Sequence, residues 1–322
     1  MIRFFQIFIL FFTLNLYADM YDIAVEYQEN GIKGIEKRMD RYLAKPKYWY
    51  RKISKSDVRF GWYENQIYLL VLDTDKKEIG VYDYDMGIVS NLLRVDIVLG
   101  RNGVGKSKEG DRRTPVGIYS IVQKKEHLAP LYGPFAFVTN YPNSLDRTLQ
   151  KDGAGIWIHG FPPNDPDKSF TKGCIATPNQ NLLKLDKTID YKSSLVIISQ
   201  GKPLESSKDE ISKIMAFIYE WRFDWKYNLI EKYLSLYSKD LISSNGNFQK
   251  FSYAKRSLFA RNLKKTIIFK NFQVTRYPNT SGKKIWRVVM DEYYKAPNYR
   301  FSGKKSLYIL ETENGFKIWR EL

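Results

Sequence analysis

Hydrophobic periodicity changes twice along this chain, and those two changes constrain its fold more than any other feature. Residues 21 to 53 repeat at helical spacing, with Ile23 and Tyr27, then Ile32, Ile35, Met39, Tyr42 and Leu43, and Gly31 separates two short helices. Lys45-Pro46 ends the second, because a residue before proline is pushed out of helical geometry. From about Phe60 the pattern becomes one of short strands. Ile67 to Leu72 pairs with Glu78 to Tyr84 as a hairpin, and Val95 to Leu99, Val116 to Val122, Ala136 to Thr139, Gly155 to His159 and Leu195 to Ser199 follow. One helical stretch, Asn179 to Asp190, interrupts them, which predicts a mainly β region of sandwich or barrel type. Gly201-Lys202-Pro203 then breaks the pattern. Ser206 or Ser207 caps a helix through Ile211, Ile214, Met215, Ile218 and Tyr219 to Trp221 and Trp225, and a second helix spans about Leu229 to Leu236. Strands at Lys265 to Thr275, Lys283 to Tyr294, Ser306 to Thr312 and Phe316 to Arg320 complete an α+β region. The expected fold class is therefore multidomain α+β, with a helical unit at 19–58, a mainly β domain at 59–202 and an α+β domain at 203–322.

The first residues carry a separate signal. Met1 and Arg3 precede an apolar run from Phe4 to Leu16, and Leu16-Tyr17-Ala18 stands before the acidic Asp19. This is the pattern of a secretory leader, residues 1–18, cleaved after Ala18. The run is too short for a bilayer, which takes about 20 apolar residues, and no later stretch is long enough, so no stable membrane span is expected after cleavage. Lys and Arg number 52 against 35 Asp and Glu, a net charge of +17. Those cations are scattered rather than gathered in a stripe, which in an exported chain argues against nucleic acid and fits an anionic envelope polymer or membrane surface. The helical unit is too rich in aromatics, with Tyr48, Trp49 and Tyr50 at its end, to bury them alone. It must pack on the next domain or on a second copy of itself.

Cys174 is the only cysteine, so no internal disulfide forms and the thiol is either inert or kept for chemistry. Its neighbours favour chemistry. Gly155-Ile156-Trp157-Ile158-His159-Gly160 ends an apolar strand, a Pro/Asp-rich loop follows, and Thr171-Lys172-Gly173-Cys174-Ile175-Ala176-Thr177 comes just before a helix. A thiol becomes a strong nucleophile when an imidazole and helix N-terminal amides favour its thiolate. Glycine at 173 lets the backbone approach a substrate, and the Thr-Lys-Gly-Cys turn is suited to aim N–H groups at an oxyanion. Tyr132-Gly133-Pro134 and Tyr141-Pro142-Asn143 are candidates to line the cleft, with ordinary loop packing as the alternative. His127, in Lys124-Lys125-Glu126-His127, reads as a solvated turn residue. Neither zinc spacing nor a phosphate-cradling glycine loop ahead of a helix occurs, so no metal and no cofactor are expected.

His-Gly, a loop, then Thr-x-Gly-Cys resembles the signature of the L,D-transpeptidase catalytic domain, the YkuD-type fold. Upstream, Thr114-Pro115-Val116-Gly117-Ile118-Tyr119 looks like that family's Thr-Pro-x-Gly-x-Tyr/Phe segment, and the resemblance covers about residues 60 to 200. It implies Cys174 as nucleophile, His159 as base and then acid, and Gly160 as the carbonyl that orients the imidazole. Thr171 and Gly173 would shape the turn, and with Lys172 and Ile175 on either side of the nucleophile they would line the substrate and oxyanion pocket. Many members carry His where Lys172 stands and Arg where Ala176 stands. Trp221-Arg222-Phe223-Asp224-Trp225 and Tyr233 to Ser238 look like the opening helices of an NTF2-like domain. The three parts together resemble the L,D-carboxypeptidases that set helical cell shape in some Gram-negative bacteria. That likeness implies a periplasmic enzyme, peptidoglycan tetrapeptide stems as substrate, and a homodimer formed through the N-terminal unit.

Overall fold

The computed structural model describes residues 2–165 and 169–322, with side chains described from Met20 onward. The expected leader lies outside the residues whose side chains are described. Among the described residues no helix is long and apolar enough to cross a membrane.

Helix α1 (Ile2–Leu43) breaks at Gly31, which adopts φ 64° and ψ −164°. Arg38 reaches back across this break to the Asp22 carbonyl at 2.7 Å, so the two halves fold against each other. Helix α2 (Pro46–Lys52) follows the expected stop at Lys45. Trp49 is 2% exposed: its indole packs 4.9 Å from the Tyr219 ring and 6.1 Å from Trp62, while its N–H donates to the Leu43 carbonyl. The helical unit therefore packs through Trp49 on the C-terminal domain and on β1, which joins that domain's sheet, and not on the domain that follows it in sequence, while Tyr42 and Tyr50 remain exposed.

Strand β1 (Trp62–Tyr63) is followed by β2 (Ile67–Asp73), β3 (Glu78–Asp85), β4 (Ile88–Asp96), β5 (Gly117–Glu126) and β6 (Phe135–Thr139). After the short helix α3 (Ser144–Thr148) come β7 (Trp157–His159), β8 (Ile175–Ala176), α4 (Asn179–Thr188) and β9 (Ser194–Ile198). Eight of these strands form one mixed sheet in the order β4-β3-β2-β9-β5-β6-β7-β8. Of the strand expected at Val95 to Leu99, only Val95 and Asp96 belong to a strand, the tail of β4, which starts at Ile88, while Val98 makes an isolated bridge to Ala176. As the sheet's edge, β4 leaves most of its side chains in solvent and lacks the apolar run that marks β2.

The C-terminal part contains α5 (Lys208–Lys226), α6 (Ile230–Ser235), β10 (Tyr237–Ser243), β11 (Gly246–Asn247) and α7 (Phe248–Ala260). Four long strands close it: β12 (Thr266–Arg276), β13 (Ile285–Ala296), β14 (Tyr299–Thr312) and β15 (Gly315–Glu321). Ser207 caps α5 with a reciprocal Glu210 bond, the capping-box arrangement. One expected boundary shifts. Residues 59–66, expected in the mainly β domain, contribute β1 to the other sheet, where Trp62 and Tyr63 pair antiparallel with Val274 and Gln273 of β12.

The two domains share a core. Strands β2 and β9 are buried on both faces, which explains their unbroken apolar sequence. Leu70, Leu72, Val196 and Ile198 face the core of the mainly β domain with Leu182 and Leu185 of α4. Ile67, Leu69, Val71, Leu195 and Ile197 face the other way and join Ile214, Trp221, Phe272 and Trp286 of the C-terminal domain.

Candidate active site

Alternation along β7 sets one half of the site. Ile156 and Ile158 point into the core at 3% and 0% exposure, so Trp157 and His159 emerge on the opposite face. There the Tyr132 ring lies 4.8 Å from Trp157 and meets His159 edge-on at 5.2 Å. Parallel pairing of Ile158 with Ile175 and of His159 with Ala176 sets the other half. Ile175 is fully buried beside Ile158, which turns Cys174 toward the face of Trp157 and His159.

The imidazole of His159 is held by its own neighbour, with Nδ1 2.7 Å from the Gly160 carbonyl oxygen. A carbonyl only accepts, so Nδ1 carries the proton and Nε2 keeps its lone pair. The carbonyl is itself pinned. Gly160 N–H donates to the Tyr132 carbonyl at 3.0 Å, and Phe161 N–H donates to Asn179 Oδ1 at 2.9 Å. A Cβ at Gly160 would come within 2.0 Å of that Oδ1, so a side chain there would push the Asn179 amide off the Phe161 N–H. Asn179, at the start of α4, is a support that no motif in the sequence points to.

The turn bearing Cys174 is organised by one hydroxyl. Thr171 Oγ1 donates to the Cys174 carbonyl at 2.7 Å and accepts from Gly173 N–H at 3.0 Å. The Gly173 amide thus secures the turn instead of facing an oxyanion. Among the described residues the Lys172 N–H has no protein acceptor. Gly173 adopts φ 131°, and a Cβ there would meet the Arg113 carbonyl oxygen at 2.9 Å, so only glycine fits. The thiol of half-buried Cys174 donates to the Gly155 carbonyl at 3.2 Å.

Beneath this turn lies the Gly100–Arg113 loop. Its glycine-rich start forms a parallel bridge to Thr171 and leads into no helix. Asp111 holds the loop by accepting from the Ser107, Lys108 and Arg113 amides and from the Lys106 ammonium at 3.0 Å. Burial pushes the Asp111 carboxyl up, but these donors outweigh it and bring its pKa down to about 2.

Cys174 and His159 line one cavity of about 340 Å³, together with Tyr132, Phe170, Thr171 and Lys172. Two expected lining residues are elsewhere. Tyr141 is 5% exposed within the core, where its hydroxyl donates to the Asp152 carbonyl, because the chain turns inward at that point instead of along the rim. Ile175 packs beneath the site and presents no side chain to it. His127 is exposed in a turn. Among the described residues no cluster of metal-ligating side chains occurs.

The C-terminal domain encloses a second cavity of about 560 Å³, bordered by Trp225, Lys255, Lys265, Glu292, Lys305 and Glu321. Burial pushes the Glu321 carboxyl up, but the Lys305 and Lys255 ammonium groups outweigh it and hold it well down. Lys305 donates to Glu321 at 2.8 Å and lies 3.2 Å from Glu292, and these carboxylates hold its pKa up against burial.

Comparison with known proteins agrees with this division. Residues 67–198 match the L,D-transpeptidase catalytic domain (YkuD), and residues 213–322 match the Cds6 C-terminal NTF2-like domain. The helical cell shape determining protein Pgp2 from Campylobacter jejuni superposes with a TM-score of 0.81 at 32% identity, covering 87% of this chain and 99% of Pgp2. A point mutant of the same protein gives a TM-score of 0.83 at 31% identity, covering 88% and 99%. Bd1075 from Bdellovibrio bacteriovorus shares the fold, with a TM-score of 0.67 at 23% identity over 83% of this chain and 96% of its own. None of the curated proteins compared matches the sequence. The expected fold class holds, and the chain belongs to the family of Pgp2, in which an L,D-transpeptidase-type catalytic domain carries a C-terminal NTF2-like domain.

Proposed function

We propose that this protein is an exported peptidoglycan L,D-carboxypeptidase that removes the terminal D-Ala from tetrapeptide stems to leave tripeptides, and so contributes to helical cell shape. The observation that carries the reading is the shared cavity: a half-buried thiol and an imidazole with its Nδ1 tied to a carbonyl line one opening. Membership in the family of Pgp2, a helical cell shape determining protein, supports the cell-shape role. The leader-like first residues support a periplasmic location.

In this mechanism His159 Nε2 takes the proton of Cys174, and the thiolate attacks the carbonyl on the L-centre of the diamino acid. The Lys172 N–H, which has no acceptor among the described residues, is the backbone donor available to the oxyanion. D-Ala leaves with the proton carried by the imidazolium. Water, deprotonated by the same imidazole, then hydrolyses the thioester and frees Cys174. Exposed Ile32, Met39, Tyr42 and Tyr50 support a homodimer through the helical unit.

Digestion of a purified disaccharide tetrapeptide tests the reading. The expected product is the tripeptide plus free D-Ala, lost by a factor of about 10³ or more in a folded Cys174→Ala variant. Dimeric muropeptides without tripeptide would reassign the enzyme as a transpeptidase. No turnover, with Cys174 no more reactive than an ordinary thiol toward a labelling reagent, would make the domain a binding module.

A further inference from the structure

We infer that Lys172 reads the free carboxylate of the amino acid being released, so that the cavity selects an uncapped peptide end. This rests on the reading of Cys174 and His159 as an acyl-transfer pair acting on stem peptides.

Lys172 is exposed, lines the catalytic cavity and stands two residues before the nucleophile. The turn between them is not loose, because the Thr171 hydroxyl ties the Cys174 carbonyl and the Gly173 amide together. The lysine stem therefore starts from a set position relative to Sγ. Among the described residues Lys172 forms no ion pair, and it is the one cation bordering the cavity.

Four other cations among the described residues have partners of their own. The Arg101 guanidinium lies 4.4 Å from the centre of the Phe170 ring, and the Lys125 ammonium lies 5.1 Å from that of Trp157. Lys124 pairs with Asp186 at 2.8 Å, and Lys106 with Asp111 at 3.0 Å. Asp165 also borders the cavity and forms no ion pair with Lys172 among the described residues, so the opening presents charges of both signs.

The chemistry of the leaving group matches this placement. In a terminal amino acid the carboxylate is one carbon removed from the scissile nitrogen, so attack by Sγ brings that anion close to the thiol. A Lys ammonium is a compact point charge with three donors on a flexible stem, suited to an anion whose exact orientation varies. An ion pair at a partly open rim favours a free acid over its uncharged amide by about two- to fivefold.

The test compares disaccharide tetrapeptide with its C-terminal carboxamide as substrates. Wild-type protein should favour the acid by about two- to fivefold in kcat/KM, mostly through KM. Lys172→Met should bring the ratio near one, and Lys172→Arg should restore part of it. An unchanged ratio in Lys172→Met overturns the inference. Equilibrium binding of both peptides to Cys174→Ala and to Cys174→Ala/Lys172→Met separates this inference from the cleavage reading. An acid preference in binding that vanishes with Lys172 sustains the inference even if neither peptide is cleaved. Equal binding of acid and amide to Cys174→Ala overturns it, whatever the turnover. Because Lys172 is exposed, its variants should keep the wild-type unfolding temperature.

Discussion

At the residue scale, Thr171 does for the Cys174 turn what Gly160 does for the imidazole. Replacing it with Val keeps the shape but leaves the Gly173 amide and the Cys174 carbonyl without their shared partner. The expected cost is about 1–3 kcal/mol of stability, read as a lower unfolding midpoint, with a larger proportional loss of tripeptide formation. Thr171→Ser, which keeps the hydroxyl, should retain most of both. Gly173→Ala should be harsher on activity, because a side chain at φ 131° forces the turn away from the Arg113 carbonyl. His159, Gly160 and Cys174 were legible as a motif because few residue types serve this chemistry. Asn179 and Asp111 were not, because an amide or a carboxylate that props a backbone has no characteristic neighbours in sequence.

At the element scale, the helical unit is fastened to α5 by charge as well as by Trp49. Asp40, 5% exposed, accepts from Arg222 at 2.8 Å, from Lys226 at 2.6 Å and from the Tyr227 hydroxyl at 2.8 Å. Burial alone would raise the Asp40 pKa, but the Lys226 and Arg222 cations outweigh it and hold the carboxyl below its ordinary value. The folded protein thus binds this proton less readily than the unfolded chain. The contribution is complete above the ordinary carboxylate value of 3.8 and falls away as pH drops below it toward the folded pKa. Asp40→Asn should cost about 3–5 kcal/mol near neutral pH and flatten the acid limb of a stability curve taken by denaturant unfolding. Helix α7 escaped the sequence reading for a related reason. It buries only Phe251 and Phe259, eight residues apart, so its apolar face is too sparse to stand out.

At the scale of the whole molecule, two sheets share one apolar core. Strand β1 pairs with β12, Asn143 donates to the Tyr277 hydroxyl at 2.9 Å, and residues of β2 and β9 pack beside Trp221 and Trp286. Heating should therefore give one cooperative transition by calorimetry, with catalytic and NTF2-like domains melting together. Two well-separated transitions would contradict a shared core. The exposed apolar residues of the helical unit make a prediction at the same scale. Wild-type protein should sediment as a dimer, and a Tyr42→Lys/Tyr50→Lys variant as a monomer with unchanged cleavage of small muropeptides.

Periodicity and motif were enough to determine three structural regions, most strand positions and which cysteine and histidine come to line one cavity, since burial imposes local repeats and few residue types make such a motif. Three matters were decided only by tertiary structure. Residues 59–66 joined the C-terminal sheet because Trp62 and Tyr63 find free edge partners there. Tyr141 went into the core, where its hydroxyl is satisfied by a carbonyl, although its sequence neighbourhood looked like a cleft wall. Asn179 came to hold the Phe161 amide because α4 begins beside the end of β7, although no motif surrounds it in sequence. Each outcome depends on which distant surfaces meet, and pairing of that kind leaves no period in a single sequence.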